Sequence, residues 1–280
     1  MIVFPNCKIN LGLQILNKRE DGYHNLATVF HPVAWHDMLE VVRKENDQPS
    51  DIEFSATGLP VSGDPATNLC VKAYRLLKKE FPTLPPVQLH LHKIIPMGAG
   101  LGGGSSDGAF TLGLLNDLFQ LNLSREQLIG YALQLGSDCP FFIDNKPCYA
   151  TGRGEVLEPV ELQLNNYHLL IVNPGIHINT GWAFSQLNLQ ELNATPRPDL
   201  RQVVQQPVET WKEHLCNDFE LPVFHAHPEV AALKNQLYAA GAVYAGMSGS
   251  GSTVFGIFGT VIQSQLSLPP AYVTKWIPAS

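Results

Sequence analysis

The chain has 280 residues, 45% of them hydrophobic, which is enough for one or two domains with a sizeable core. A formal charge of −7 and a pI near 5.8 exclude general affinity for nucleic acid or anionic membrane surfaces, so an anionic substrate must be held by local cations and backbone N–H groups. No apolar run is as long as a membrane span, no secretory leader is expected, and the histidines and the five cysteines show no metal-ligand or C-x-x-C spacing, which reads as reduced thiols in a cytoplasmic protein.

Residues 6–16 alternate. Ile9, Leu11, Leu13 and Ile15 point one way, and Lys8, Asn10, Gly12 and Gln14 the other, as in a half-buried strand. On pattern alone the face carrying Lys8 and Asn10 is solvated. A turn is expected at residues 18–22, just before Tyr23 and His24. By chemistry alone Tyr23 is a half-buried aromatic and His24 a turn residue. Residues 33–42 and 51–56 read as strands, and 60–67 as a loop. Asn68 suits the start of a helix whose apolar side carries Val71, Leu76 and Leu77.

Residues 87–95 have strand character, with Lys93 reading as a solvated lysine. They run into Pro96-Met97-Gly98-Ala99-Gly100-Leu101-Gly102-Gly103-Gly104-Ser105-Ser106-Asp107-Gly108. Missing Cβ atoms let backbone N–H groups turn inward and approach a ligand closely. The helix expected next, with Leu112, Leu115 and Phe119 on one side, adds free N–H groups and the positive end of its dipole. Together these make an anion site suited to phosphate. The loop lacks the Lys of a Walker P-loop and the acidic residue that closes a dinucleotide-binding unit. Ser105 and Ser106 can bind phosphate oxygens or metal-bound water, or they can cap the helix; Asp107 can assist a metal or favour the helix dipole.

Ser124-Arg125-Glu126-Gln127 has the shape of a capping box, opening a helix to about residue 134. Asp138 follows in the turn Gly136-Ser137-Asp138-Cys139-Pro140-Phe141-Phe142. A domain boundary is expected near Pro159, a strand at 167–172, and a short helix opened by Thr180 and carrying Phe184. Residues 188–212 are polar and interrupted by proline, and read as an adaptable loop with little core potential. Residues 229–240 form a helix with Val230, Leu233 and Leu237 at helical spacing. Gly246-Met247-Ser248-Gly249-Ser250-Gly251-Ser252 is a second glycine-rich turn, which taken alone is a tight hairpin before a strand at 253–258.

Taken together, three segments resemble the motifs of the GHMP kinase superfamily, in the family's order and across residues 5–258. Pro5-Asn6-Cys7-Lys8-Ile9-Asn10-Leu11-Gly12-Leu13 resembles the first, with Cys7 where Ala is usual; the loop from Pro96 resembles the second, and the turn from Gly246 the third. Asp21-Gly22-Tyr23-His24, the segment around Asp138, and Tyr149-Ala150-Thr151-Gly152-Arg153-Gly154-Glu155 are similar to one branch, whose acceptor is a cytidine diphosphate conjugate of methylerythritol. The resemblance implies an α+β, two-domain GHMP kinase fold. Residues 1–158 would be a ribosomal protein S5 domain 2-like N-terminal domain that binds ATP, and residues 159–280 a ferredoxin-like C-terminal domain.

The same resemblance implies transfer of a phosphoryl group from ATP, with Mg²⁺, to the 2-hydroxyl of that conjugate in the non-mevalonate route to isoprenoid precursors. Lys8 and Asp138 would be catalytic. ATP would lie on Asn68, Lys93, Pro96, Gly98, Ala99, Gly100, Leu101, Gly102, Gly103, Gly104, Ser105 and Ser106. The acceptor would lie on Asn10, Tyr23, His24, Thr180 and Phe184, with Tyr23 and Phe184 as the walls of a cytosine slot and His24 at the base's edge. Gly152 to Glu155 would support the site without a chemical role. No protein ligand of the metal is identified. Only a small-molecule partner is expected, without nucleic acid or membrane, for a cytoplasmic monomer or weak homodimer. A mevalonate- or homoserine-type kinase, and a non-catalytic ligand-binding protein on the same fold, are the alternatives.

Overall fold

The computed structural model describes residues 1–44, 50–61, 63–194, 196–260 and 266–279. Strands β1 (Ile2–Val3), β2 (Asn6–Lys18), β3 (His24–His36), β4 (Met38–Arg43) and β5 (Ile52–Gly58) lead to α1 (Leu69–Glu80) and β6 (Val87–Lys93). Helices α2 (Gly103–Phe119), α3 (Arg125–Leu135) and α4 (Phe141–Asp144) precede β7 (Cys148–Thr151), β8 (Val156–Pro159) and β9 (His168–Asn173). Short helices α5 (Thr180–Ser185), α6 (Leu189–Leu192), α7 (Leu200–Val203), α8 (Trp211–His214) and α9 (Glu220–Ala226) come before α10 (Pro228–Ala239), β10 (Tyr244–Met247), β11 (Val254–Phe258) and β12 (Val273–Ile277). No helix among the described residues is long and apolar enough to cross a membrane. The chain divides into two compact units: Met1–Cys7, Val33–Met97 and Gly102–Asn145 form one, and Lys8–Pro32, Gly98–Leu101 and Lys146–Ser280 the other.

In the first unit a sheet runs β1-β4-β6-β5, with β5 parallel to β6 and the other pairs antiparallel. Alternation buries Leu39 and Val41 of β4 and Val87, Leu89 and Leu91 of β6 on one face. Helices α1 and α2 pack against each other, and each also meets the sheet. Their close approach needs Gly108, where an added Cβ would come within 2.9 Å of Leu69 Cβ. Helix α1 starts as its sequence requires, Asn68 Oδ1 accepting the Cys70 N–H at 2.8 Å. The reciprocal capping box of Ser124 and Gln127 opens α3. Helix α2 departs from expectation: Ser105 and Ser106 lie inside its first turn, and the capping position is Gly102 at φ +67°, where an L side chain is disfavoured. Neither serine caps the helix.

The second unit holds an antiparallel sheet in the order β10-β11-β9-β12 and most of a sheet in the order β2-β3-β7-β8. Leu13, Ile15, Val172, Phe219, Val223, Val230, Leu233, Leu237, Met247, Val254 and Phe258 belong to one buried cluster, which places the predicted apolar side of α10 in the core. The half-buried reading of β2 is corrected: every residue from Asn6 to Ile15 is buried, the polar face included. Residues 188–212 are corrected as well. Leu200, Val203, Val204, Val208 and Trp211 are buried in and between short helices, where their helical spacing was masked by polar and proline-rich neighbours. The Trp211 indole is fully buried, donates from Nε1 to Gln206 O at 3.0 Å and meets Tyr244 edge-on.

Trp211→Ala is therefore expected to cost about 3–5 kcal/mol, read as a lower urea midpoint at unchanged slope. A loss within about 0.5 kcal/mol, as for a surface loop, would contradict this placement.

Candidate active site

In the first unit both flanks of the glycine loop meet at one buried cluster. Lys93, at the end of β6, is 1% exposed. Its Nζ donates to Asp107 Oδ2 at 2.7 Å and also to Asp37 Oδ2. The other oxygen of Asp37 accepts the N–H groups of Ile94 at 2.5 Å and Ile95 at 2.8 Å. Lys93 is thus not the solvated lysine that composition suggested, and its charge is already compensated. Asp107 lies beyond the first turn of α2 and faces Lys93, so it does not serve the helix dipole. Two carboxylates against one ammonium leave a net negative charge out of water. Burial pushes the Asp107 carboxyl up to about 7, with Lys93 pulling the other way and Asp37 adding to the rise. Burial draws Lys93 down, but the two carboxylates outweigh it and hold Lys93 above its ordinary range.

The start of α2 lies over this cluster. A Cβ on Gly103 would stand 3.0 Å from Ile95 Cγ2 and 3.1 Å from Lys93 Nζ, so this glycine serves packing. A Cβ on Gly104 would meet nothing within 4 Å. The first turn carries no acidic side chain. Ser106 is fully buried, and its Oγ has no hydrogen-bond partner among the described residues. Ser105 hydrogen-bonds to Cys139, whose thiol is pushed up to about 12 by burial, with the adjacent Asp138 adding to the rise. The turn carrying Asp138 and the first turn of α2 therefore stand together, and Asn68 caps α1, whose first residue Leu69 lies against Gly108 of α2.

In the second unit the buried polar face of β2 is a network. The Lys8 N–H donates to Leu101 O at 2.9 Å, and Lys8 Nζ donates to Asn10 Oδ1 at 2.5 Å while lying 4.7 Å from the centre of the Phe30 ring. Asn10 Nδ2 donates to Thr28 Oγ1 at 2.9 Å, and Thr28 Oγ1 donates to Gly12 O. The Asn10 N–H donates to Ser248 Oγ at 3.1 Å, and that hydroxyl donates to Gly100 O at 2.7 Å. Contact here is so close that a Cβ on Gly100 would lie 1.9 Å from Ser248 O. β10 and β11 pair as a hairpin with Met247 opposite Val254, but the connection between them, residues 248–253, is longer than the tight turn expected from the glycines, and it backs Gly98–Leu101.

The aromatic group differs from the expected slot. His24, not Tyr23, stacks on Phe184, with ring centres 4.6 Å apart and planes 12° apart. Phe219 meets Phe184 at 4.9 Å and 89°. Tyr23 is 57% exposed, and the Arg153 guanidinium lies 5.0 Å from its ring centre, a contact that supports the ring. Burial lowers the His24 pKa, Lys18 adding to the effect, which keeps the imidazole neutral at neutral pH. Helix α5 is capped by Asn179, which accepts the Trp182 N–H at 2.9 Å; the Thr180 hydroxyl instead hydrogen-bonds to Ser250 Oγ at 3.0 Å. Sequence reasoning passed over Asp37, Thr28 and Asn217. Of these only Asp37 left a signal, a lone acid between the hydrophobic runs of β3 and β4.

This fold and these clustered motifs define a small-molecule kinase scaffold. The GHMP kinases N terminal domain family matches residues 68–146, and the GHMP kinases C terminal family matches residues 199–266. The chain belongs to the GHMP kinase family and has its two-domain fold of mixed helix and sheet. A relative from Bacteroides fragilis, 4-diphosphocytidyl-2-C-methyl-D-erythritol kinase, is 51% identical over 258 residues, covering 92% of each chain. A crystal structure of 4-(cytidine 5'-diphospho)-2C-methyl-D-erythritol kinase superposes with a TM-score of 0.78 at 30% identity, over 92% of this chain and 90% of that one. A mevalonate kinase crystal structure shares the fold, with a TM-score of 0.70 at 12% identity over 92% and 91% of the two chains.

Asp107→Asn is expected to leave Lys93 paired with Asp37 and to remove the net buried charge. Folded Asp107 titrates at about 7, against about 4 when unfolded. Between those values the folded chain holds more protons, so this group's contribution to stability falls as pH rises. His31, fully buried and lowered by burial to about 4, has the opposite slope across much of the same window. The informative quantity is therefore the difference between variant and wild type in urea titrations. From about pH 4 to about pH 7.5 the variant is expected to gain about 2–4 kcal/mol on the wild type. A difference independent of pH would overturn the account of the cluster.

Proposed function

We propose that the protein transfers the γ-phosphoryl group of ATP to the 2-hydroxyl of 4-diphosphocytidyl-2-C-methyl-D-erythritol, giving the 2-phosphate and ADP, in the non-mevalonate route to isoprenoid precursors. The observation that carries this reading is the 51% identity, over 92% of both chains, with the relative of that name. Against the mevalonate alternative, likeness to mevalonate kinase stops at the fold. The protein works as a cytoplasmic monomer or weak homodimer with small-molecule partners. Its proposed division into residues 1–158 and 159–280 is supported by the two family matches, which fall on either side of that boundary.

Phosphoryl transfer depends on positioning and on stabilising developing charge. Backbone N–H groups of Gly98 to Ser106 hold the nucleotide phosphates, with Asn68, Lys93 and Pro96 setting the surrounding shape. Among the described residues no group of three or more His, Cys, Asp and Glu side chains is placed to hold a metal. Mg²⁺ suits such a site because it keeps several waters and binds largely through substrate phosphates. The unpartnered Ser106 hydroxyl is the protein group that fits it, with Ser105 beside it. When bound, the ion offsets charge on the phosphate oxygens. Asp138 accepts the proton of the acceptor hydroxyl, or holds that hydroxyl in line. Lys8, oriented by Asn10 and Phe30, stabilises the transferred group. Tyr23, His24 and Phe184 receive the cytosine, and Asn10 and Thr180 the rest of the acceptor.

The deciding experiment offers purified protein ATP, Mg²⁺ and, separately, the cytidine conjugate, mevalonate and homoserine. Turnover on the conjugate alone is expected; faster turnover on mevalonate would reject the substrate, and background ATP consumption with all three would favour a non-catalytic protein. Asp138→Asn should lower kcat about 100-fold or more while ATP binding persists, and turnover within about threefold of wild type would remove Asp138 from its role.

Gly104→Val isolates the phosphate contact, because the added side chain finds open space in the folded protein. It is expected to fold normally and to weaken binding of an ATP analogue at least tenfold by calorimetry, or about 1.4 kcal/mol. Unchanged affinity would place the phosphates elsewhere. Substitution at Gly102 or Gly103 is less informative, since positive φ at the first and packing at the second disturb the fold itself.

A further inference from the structure

The turn after β10 is held by side chains from outside its own hairpin. Asn217 is 6% exposed, and its Nδ2 donates to both Met247 O and Gly249 O at 2.8 Å. Its Oδ1 accepts the Phe219 N–H at 3.0 Å. Two carbonyls on one side and an N–H on the other admit a single orientation of the amide. The Met247 N–H donates to Glu220 Oε1 at 2.9 Å, and Glu220 Oε2 accepts Lys234 Nζ at 2.7 Å. Both polar backbone groups of Met247 are therefore gripped by side chains of one short segment.

That grip matters because of what the turn supports. Gly249 at φ +58° and Gly251 at φ +91° give the turn conformations that only glycine adopts readily, and with them a large loss of freedom on ordering. Ser248, between the two gripped residues, meets Gly100 through both its carbonyl and its hydroxyl. The Thr253 N–H reaches Ala99 O at 3.4 Å. A turn released at Met247 and Gly249 would take the backing away from Gly98–Leu101. The other end of the Asn217 amide orders Phe219, which packs on Phe184 in the aromatic group.

We propose that Asn217, assisted by Glu220, is a positioning residue for phosphoryl-donor binding: it splints the turn at Met247 to Gly249, which fixes the first half of the phosphate loop. This rests on the proposed use of that loop for ATP. Asn217→Asp separates the two ends of the amide, because it keeps an oxygen for the Phe219 N–H and turns a carboxylate toward two carbonyls. Asn217→Ala loses both ends.

The splint is read first without any substrate, by hydrogen exchange on the full-length protein. Asn217→Asp is expected to speed exchange in peptides covering 98–101 and 247–252 while β9 and α10 keep wild-type protection. Unchanged exchange in both peptides would overturn the proposal whatever the acceptor is. In steady-state kinetics Asn217→Asp should raise the KM for ATP about 10- to 100-fold, as expected for two lost buried hydrogen bonds, with the acceptor KM within about twofold of wild type. Asn217→Ala should raise both. A fall in Tm with both KM values unchanged would reduce Asn217 to a purely structural residue and reject the proposal. Should the Asn217 variants not fold, Glu220→Ala, which removes the acceptor of the Met247 N–H, must raise the KM for ATP in the same way, and an unchanged value rejects the inference. Failure of the proposed function shows differently, as a wild type that does not turn over the conjugate, and the exchange measurement still decides the splint.

Discussion

Lys93, Asp37 and Asp107 meet where water is excluded, and the loop that precedes α2 hangs from them at both ends. Asp37 takes the N–H groups of Ile94 and Ile95 just before the loop, while Asp107 belongs to the helix just after it. A pair of this kind contributes little net stability when intact, because desolvation offsets most of the attraction. Breaking it is costly, on the order of 3–5 kcal/mol, because a bare charge is left behind. Its value is in specifying geometry. A glycine-rich loop has little conformational preference of its own, so the positions of its ends must be set by what they are tied to.

The same constraint explains why the glycines of the loop are not equivalent. Gly98, Gly100 and Gly102 have positive φ, and the chain turns at each. Gly100 must also lack a side chain because Ser248 stands against it. Gly103 lies against Ile95 and Lys93, whereas Gly104 faces open space. Neither backbone turning nor internal packing accounts for the last. A glycine-rich segment therefore mixes positions set by backbone turning, by internal packing and by neither, and composition cannot separate them.

Much of the fold was legible because local rules and tertiary packing agree over it. The caps at Asn68 and Ser124, the strand leading into the loop and the apolar side of α10 all appear where spacing put them. The failures have physical causes. Residues 200–211 bury a tryptophan and several aliphatics, but short helices broken by prolines carry too few turns to show a period. The polar face of β2 looked solvated because alternation reveals which residues share a face, not whether the second face is covered. Lys8 and Asn10 were singled out only through a resemblance that local physics did not supply; the structure shows them buried and hydrogen-bonded to each other. Asp37 and Asn217 act through partners far along the chain, Lys93 in one case and Met247 in the other, and no local pattern carries such pairings. Of the aromatic group the sequence pointed to Tyr23, His24 and Phe184 but not to Phe219, nor to the arrangement, since which ring meets Phe184 is settled by packing.

Charge distribution bears most directly on how such a chain can hold a polyphosphate. The protein is acidic overall, with a formal charge of −7, so long-range attraction does not draw an anion in. Lys93, the cation nearest the start of α2 in the first unit, already faces two carboxylates and adds no net positive charge there. What α2 offers instead is its dipole end, a first turn free of acidic side chains and backbone N–H groups beside an open Gly104. Backbone donors bind phosphate oxygens through directed hydrogen bonds rather than at a point charge, and they need no side chain to be ordered when ligand arrives. Their positions are fixed only as well as the backbone itself is fixed. Within the first unit that fixing comes from the buried ionic cluster under the start of α2, and within the second from the turn at Ser248, which stands against Gly100.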